Sequence, residues 1–130
     1  MYSEVNTLTV LNLDSGETIA NDVRCSLSFF SRLKGLIGKK RIKENEGLFI
    51  PNCSSIHSIF MRCNIDIIFL DKNFRITKTV RNIKPYRIVM GTFHTSHVIE
   101  LQSNKLENYS CQIGNQIKLS PNFLKGKMNE

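Results

Sequence analysis

Residues 52–80, NCSSIHSIFMRCNIDIIFLDKNFRITKTV, decide how this chain is read. Within them, 65–70 (IDIIFL) is the longest apolar run, too short for a core helix and rich in β-formers, so it reads as a buried strand. Asp71-Lys72-Asn73 turns the chain back into a second strand over 74–80. Upstream, Arg62-Cys63-Asn64 is a turn that lets 56–61 pair with 65–70. In that register His57, Ile59 and Met61 share a face with Ile65, Ile67 and Phe69, while Asp66 points the other way with Ser58 and Phe60.

Outward from this hairpin, strands are expected over 7–13, 18–23, 47–50, 87–90, 98–101 and 114–119, with Asp14-Ser15-Gly16-Glu17 as the first turn. Pro51 stops the 47–50 strand because it has no N–H to give a ladder. Residues 26–38 form the one expected helix: Leu27, Phe30, Leu33 and Ile37 make a single stripe, and Gly38 suits a left-handed stop. Many short strands, one helix in the N-terminal third and no β-α-β alternation predict a mainly β fold. An antiparallel β-barrel or jelly-roll-like sandwich is the expected form. The expected domain is 1–120, with 121–130 as a flexible, basic tail.

The 130 residues are 41% hydrophobic and 22% charged, the composition of a folded single domain. No apolar stretch is long enough to span a bilayer, and the first residues lack the basic head and apolar block of a secretory signal, so a cytoplasmic location is expected. Cys25, Cys53, Cys63 and Cys111 form no C-x-x-C pair and read as free thiols. The net charge of +7 permits contact with nucleic acid or another anionic surface. Its only dense cluster is Lys39, Lys40, Arg41 and Lys43, which reads first as a solvated face and secondarily as a polyanion-binding patch.

The pieces Arg32 with Gly35-Leu36, Gly47-Leu48-Phe49, Cys53 with Ile56-His57-Ser58, Met61-Arg62 and the 65–71 run IDIIFLD occur in one order. Pro85, Ile99-Glu100-Leu101 and Gly114 follow. Together they resemble the uncharacterised family called domain of unknown function 192, over roughly residues 25 to 119. The resemblance implies a mainly antiparallel β fold with one early helix, and it supplies no reaction. The chain departs from the family pattern at Phe74, where a glycine is usual, so Asn73 is expected to take the left-handed position instead. Ile37 stands where methionine is usual.

Candidate site residues gather near the same stretch. Asp66 is costly between isoleucines unless it accepts hydrogen bonds or meets a cation. The structural reading, in which it takes backbone N–H bonds or pairs with Arg62 or Arg87, is preferred over a general acid or base. Cys53 and His57 are the types for a thiolate–imidazole couple, but a triad with Asp66 conflicts with the alternation above. His94 and His97 lie in a polar loop and are expected to be exposed; with Cys53, His57, Cys63 and Cys111 they show no zinc spacing, so neither metal nor cofactor is expected. Glu100, if turned inward, adds a second buried carboxylate. The expected function is binding of a small polar ligand or protein partner at a mouth lined by Cys53, His57, Met61, Arg62, Asp66, Arg87 and Glu100. The alternative is a hydrolase- or isomerase-like enzyme using Cys53 or His57 near a buried carboxylate, and whether there is catalysis stays open. Nucleic-acid binding through residues 39–43 is the third reading.

Overall fold

A computed structural model of the chain describes residues 5–26, 41–59 and 61–123. The strands are β1 Val5–Asn12, β2 Glu17–Cys25, β3 Glu46–Ile50, β4 Ser55–His57, β5 Ile65–Leu70, β6 Ile76–Ile83, β7 Ile88–Met90, β8 His97–Gln102 and β9 Ile117–Phe123. One short helix, α1 Lys105–Asn108, follows β8. The expected helix over 26–38 lies, beyond Ser26, outside the described residues.

Seven strands form one mixed sheet in the order β6-β5-β8-β3-β2-β1-β9, and β4 and β7 form a separate two-stranded ribbon. β5 sits between β6 and β8, and all six of its residues are buried. A strand covered on both faces needs apolar side chains at odd and even positions, which is why 65–70 is nearly unbroken. Ile68 and Leu70 pack with Phe49, Ile99, Leu101, Val10, Val23 and Ile117 in one cluster. Ile65, Ile67 and Phe69 pack with Leu48, Ile50, Val98, Ile56 and Met61 in the other. Gly47 belongs between β3, β2 and β8: a Cβ there would lie 2.9 Å from the Glu100 carbonyl oxygen and 3.3 Å from Val23 Cγ2.

Several expectations need correction. The 56–61 segment does not pair with 65–70. Both edges of β5 are taken by β6 and β8, and β4 pairs instead with β7, with Ile56 opposite Val89. The sheet is mixed rather than purely antiparallel, because β2 and β3 run parallel from Asp22↔Glu46 to Cys25↔Phe49. Parallel neighbours need a crossover of a dozen or more residues, which the long link between them allows. The described ladder is not a closed barrel: β6 and β9 are the sheet's edge strands, joined across the gap at the bridge Arg75↔Gln116 and the bonds flanking it. β9 runs on through Pro121 to Phe123, opposite Leu8 and Val5, and Pro121 stands on an edge strand as its missing N–H requires.

The β5–β6 turn holds a further correction. Asp71 organises it, its Oδ1 accepting the N–H groups of Asn73 (2.8 Å) and Arg75 (3.0 Å). The left-handed position is taken by Phe74 itself, at φ 62°, not by Asn73. A bulky residue there is strained, and the compensation is contact: the Phe74 ring stacks on His97 at 4.9 Å and 9° and lies 6.1 Å from Phe49.

That arrangement orders two substitutions. Phe74→Ala and Phe74→Gly both remove the ring, but only glycine also removes the backbone strain. The alanine variant is therefore expected to be the less stable by about 1 kcal/mol in denaturant unfolding. Equal stabilities, or a more stable alanine variant, would show that the position carries no left-handed strain.

Candidate functional site

Asp66 lies fully buried on the face of β5 that carries Ile68 and Leu70, and both its oxygens are engaged. Its Oδ1 accepts the Asn82 N–H at 2.7 Å and its Oδ2 accepts the Leu106 N–H at 2.9 Å. The first donor is freed by an irregularity in the β5–β6 register between Ile65 and Ile67, where Asn82 turns left-handed at φ 55°. The second belongs to the first turn of α1, whose own N-cap residue, Asn104, makes no side-chain cap bond. Asp66 thus caps a helix from a neighbouring strand.

Glu100 is also fully buried, but on the opposite face. Its register partners are Leu48 and Ile67, both in the second cluster, whereas Asp66 stands opposite Leu101 in the first. The sheet therefore separates the two carboxylates. Met61 is a core side chain at 4% exposure, and Arg62 and Arg87 are exposed. The Arg87 backbone N–H donates to Ser58 Oγ at 3.0 Å, and its guanidinium reaches only the adjacent Tyr86 carbonyl, at 3.4 Å. His57, half-buried, stands opposite Ile88 on the ribbon.

Cys53 lies in a cleft of about 260 Å³ lined by Asn52, Cys53, Ser54, Thr95 and Ser96. Two loops make it, and backbone bonds hold them together. The Cys53 N–H donates to the Ser96 carbonyl at 2.9 Å, the Gly91 N–H to that of Ser54 at 2.8 Å, and the Ser96 N–H to that of Leu70 at 2.7 Å. Asn52, left-handed at φ 53°, donates its N–H to His97 Nδ1 at 3.1 Å. The Thr95 hydroxyl contacts Thr77 Oγ1 at 2.8 Å and accepts the Thr92 N–H at 3.0 Å. Gly91 makes that packing possible, since a Cβ there would fall 2.6 Å from Thr95 Oγ1.

The lining carries hydroxyls, an amide and a thiol, with no formal charge. The Cys53 thiol donates to the Ser55 carbonyl at 2.8 Å and makes no hydrogen bond to His57. Among the described residues the thiol's hydrogen-bond partner is thus a carbonyl and not an imidazole or carboxylate, the partner a thiolate nucleophile would need. The imidazole beside the cleft is His97, which the sequence alone places in an exposed loop. It opens β8, half-buried against Phe74 and Phe49. Burial holds its pKa below the ordinary 6.5, with the Asp71 carboxylate pulling the other way. A neutral ring fits the geometry, because Nδ1 must be bare to accept the Asn52 N–H. The signal for His97 was its place at the head of an apolar β-run, 97–101. Lys105 was also missed: it is buried, donates to the Glu44 carbonyl at 2.6 Å, and lies 4.8 Å from the Tyr109 ring centroid. No group of three or more His, Cys, Asp or Glu side chains among the described residues could hold a metal ion.

His97 gives the fold a pH dependence with a definite sign. A histidine whose pKa is lowered by folding favours the native state above its unfolded value of about 6.5, and that contribution is lost as pH falls below it. Between about pH 7 and pH 5 the native protein is expected to lose more stability than His97→Phe, which keeps a ring in the stack and cannot titrate. Denaturation midpoints of both proteins at the two pH values measure this; parallel losses would remove His97 as the cause.

The comparisons agree with this architecture. The model of the family DUF192, described as "Uncharacterized ACR", matches residues 10–119. The chain is similar to a UPF0127 protein of Pyrococcus horikoshii, with 32% identity over 114 residues that cover 84% of this chain and 96% of that relative. A crystal structure from Novosphingobium aromaticivorans, of a protein of unknown function, superposes with a TM-score of 0.73 at 17% identity, covering 91% of this chain and 93% of that one. A second, from Sinorhizobium meliloti and named a "putative transcription regulator", also has a TM-score of 0.73, at 15% identity with 92% and 96% covered. At such identities the structures establish a shared fold, and the family match, spanning most of the chain, establishes descent: this protein belongs to the DUF192 family.

Proposed function

We propose that this protein is a binding domain that holds a small, uncharged polar ligand in the cleft between Cys53 and Thr95. The observation that carries the reading is the lining itself. Asn52, Ser54, Thr95 and Ser96 offer hydroxyl and amide groups on a backbone frame fixed by His97, Gly91 and the Leu70 carbonyl. Preformed polar groups at the mouth of a stable sheet suit orientation of a neutral ligand, and the absence of charge in the lining disfavours an ionic one. Cys53 belongs to this cleft; His57 follows on β4, and Met61 and Arg62 lie beyond that strand.

The enzyme reading ranks below. It asks for an activated thiol near a buried carboxylate, whereas Cys53 donates to a carbonyl and Asp66 is occupied on the far side of the sheet. The polyanion reading draws on the net charge of +7 and on the name of the Sinorhizobium meliloti protein. Arg41 and Lys43 of its cluster are exposed, and Lys39 and Lys40 lie outside the described residues.

Amide shifts test the proposal. Titration with neutral polar fragments (primary amides, polyols and capped dipeptides) is expected to move the resonances of Asn52, Cys53, Ser54, Thr95 and Ser96 together. Thr95→Val should abolish the effect, while Cys53→Ala leaves the affinity within about twofold, a difference well under 1 kcal/mol. Shifts confined to another surface, or none with any fragment, would refute the cleft. Loss of binding in Cys53→Ala would favour thiol chemistry.

A further inference from the structure

The β4–β7 ribbon presents a surface that the cleft does not use. Ile56 and Val89 face the core, so alternation turns Ile88 and Met90 of β7 outward, where they are 73% and 60% exposed. Tyr86 precedes them at 71% exposure and Phe93 follows, at 97%, from the turn that begins at Thr92. The segment is built rather than loose. Buried Ser58 donates its hydroxyl to the Lys84 carbonyl at 2.7 Å and accepts the Arg87 N–H at 3.0 Å, and its carbonyl takes the Tyr86 N–H at 2.9 Å. Tyr86 is held left-handed at φ 64°, a strained state for a large side chain that persists only where its surroundings impose it.

Among the described residues, the charges that flank this apolar row along the chain have one sign. Lys84 and Arg87 are exposed beside it, with Arg81 near the end of the preceding strand, and Lys78 Nζ donates to the Met90 carbonyl at 2.8 Å. The ribbon and the loops that carry it come from 47–65 and 72–99, and neither stretch contains an aspartate or a glutamate. A second copy of the chain would bring the same cations against these, which disfavours self-association. An acidic peptide would want a groove, whereas Phe93 protrudes from a turn and the Cys53–Thr95 cleft includes no residue of this row.

We propose that the Tyr86–Ile88–Met90–Phe93 row docks the protein on an anionic phospholipid surface, its side chains entering the headgroup boundary while Lys84 and Arg87 meet the lipid charge. Aromatic and apolar groups on a rigid protrusion suit that boundary, and neighbouring cations add attraction to anionic headgroups. The proposal is independent of the cleft and concerns attachment to a surface, not passage through it; no helix among the described residues is long and apolar enough to cross a membrane.

Co-sedimentation of the full chain with vesicles tests it. Binding to phosphatidylcholine vesicles containing about one-third phosphatidylglycerol is expected to exceed binding to pure phosphatidylcholine by about tenfold or more. The pair Lys84→Glu with Arg87→Glu should lower it by at least about tenfold, and Ile88→Ser with Phe93→Ser should lower it comparably, without change in melting temperature because all four side chains are exposed. The chain contains no tryptophan, so Phe93→Trp supplies a single reporter whose emission should shift to the blue on anionic vesicles. Several results would overturn the proposal: equal or absent binding to both vesicles, full binding by the double serine variant, or an unshifted emission from the introduced tryptophan. Binding to soluble polyglutamate or single-stranded DNA in place of vesicles, or a dimer abolished by Ile88→Ser, would identify a different occupant and overturn it too.

Discussion

The fold depends on a strand buried from both sides with a carboxylate sealed inside it. β5 is covered on one face by the interior of the curled sheet and on the other by β4, β7 and the loop around Met61. Each fully buried isoleucine or leucine contributes on the order of 2 kcal/mol of transfer free energy, so the strand is the centre of hydrophobic stabilisation. Asp66 runs against that trend. Its burial is tolerable because two backbone N–H groups, each displaced from regular pairing, point at its oxygens. The same bonds fix the register irregularity at Asn82 and the start of α1, so one side chain ties three segments together.

Both faces being sealed also decides where a site can lie. A ligand cannot enter between β5 and its covering, so polar functional groups are displaced to the rim where β5 ends. At that rim the Leu70 carbonyl holds Ser96, Ser96 holds Cys53, and His97 holds Asn52. The cleft is thus a consequence of how the β5–β6 turn and the start of β8 meet, with Phe74 and His97 as the packed layer beneath.

Residues 65–70 announced their strand because full burial leaves a local mark, an apolar run with the one exception at Asp66. The cost of an ionised group in that setting likewise pointed to backbone donors. What was not legible was pairing. Both 56–61 and 76–83 are plausible neighbours of β5 by composition, and only the three-dimensional competition for its two edges excludes the first. The parallel β2–β3 pair is equally invisible, because local alternation does not encode strand direction. Phe74 misled for a different reason: asparagine is the ordinary left-handed residue, and the ring stack that outweighs the preference is made with His97, distant in sequence. Of the candidate site residues, Cys53 reached the cleft, while Asp66 and Glu100 fell on opposite faces of the sheet. Thr95 and Ser96 gave no signal in the sequence, since hydroxyls in a loop are ordinary.

Unfolding measurements on Asp66→Ala, with amide exchange read at two positions, address this account most directly. Loss of both acceptors is expected to cost about 2–4 kcal/mol and to speed exchange at Asn82 and Leu106 above their neighbours. A cost below about 0.5 kcal/mol, with both amides as protected as in the parent protein, would contradict the claim that this carboxylate holds the strand, the irregular edge and the helix together.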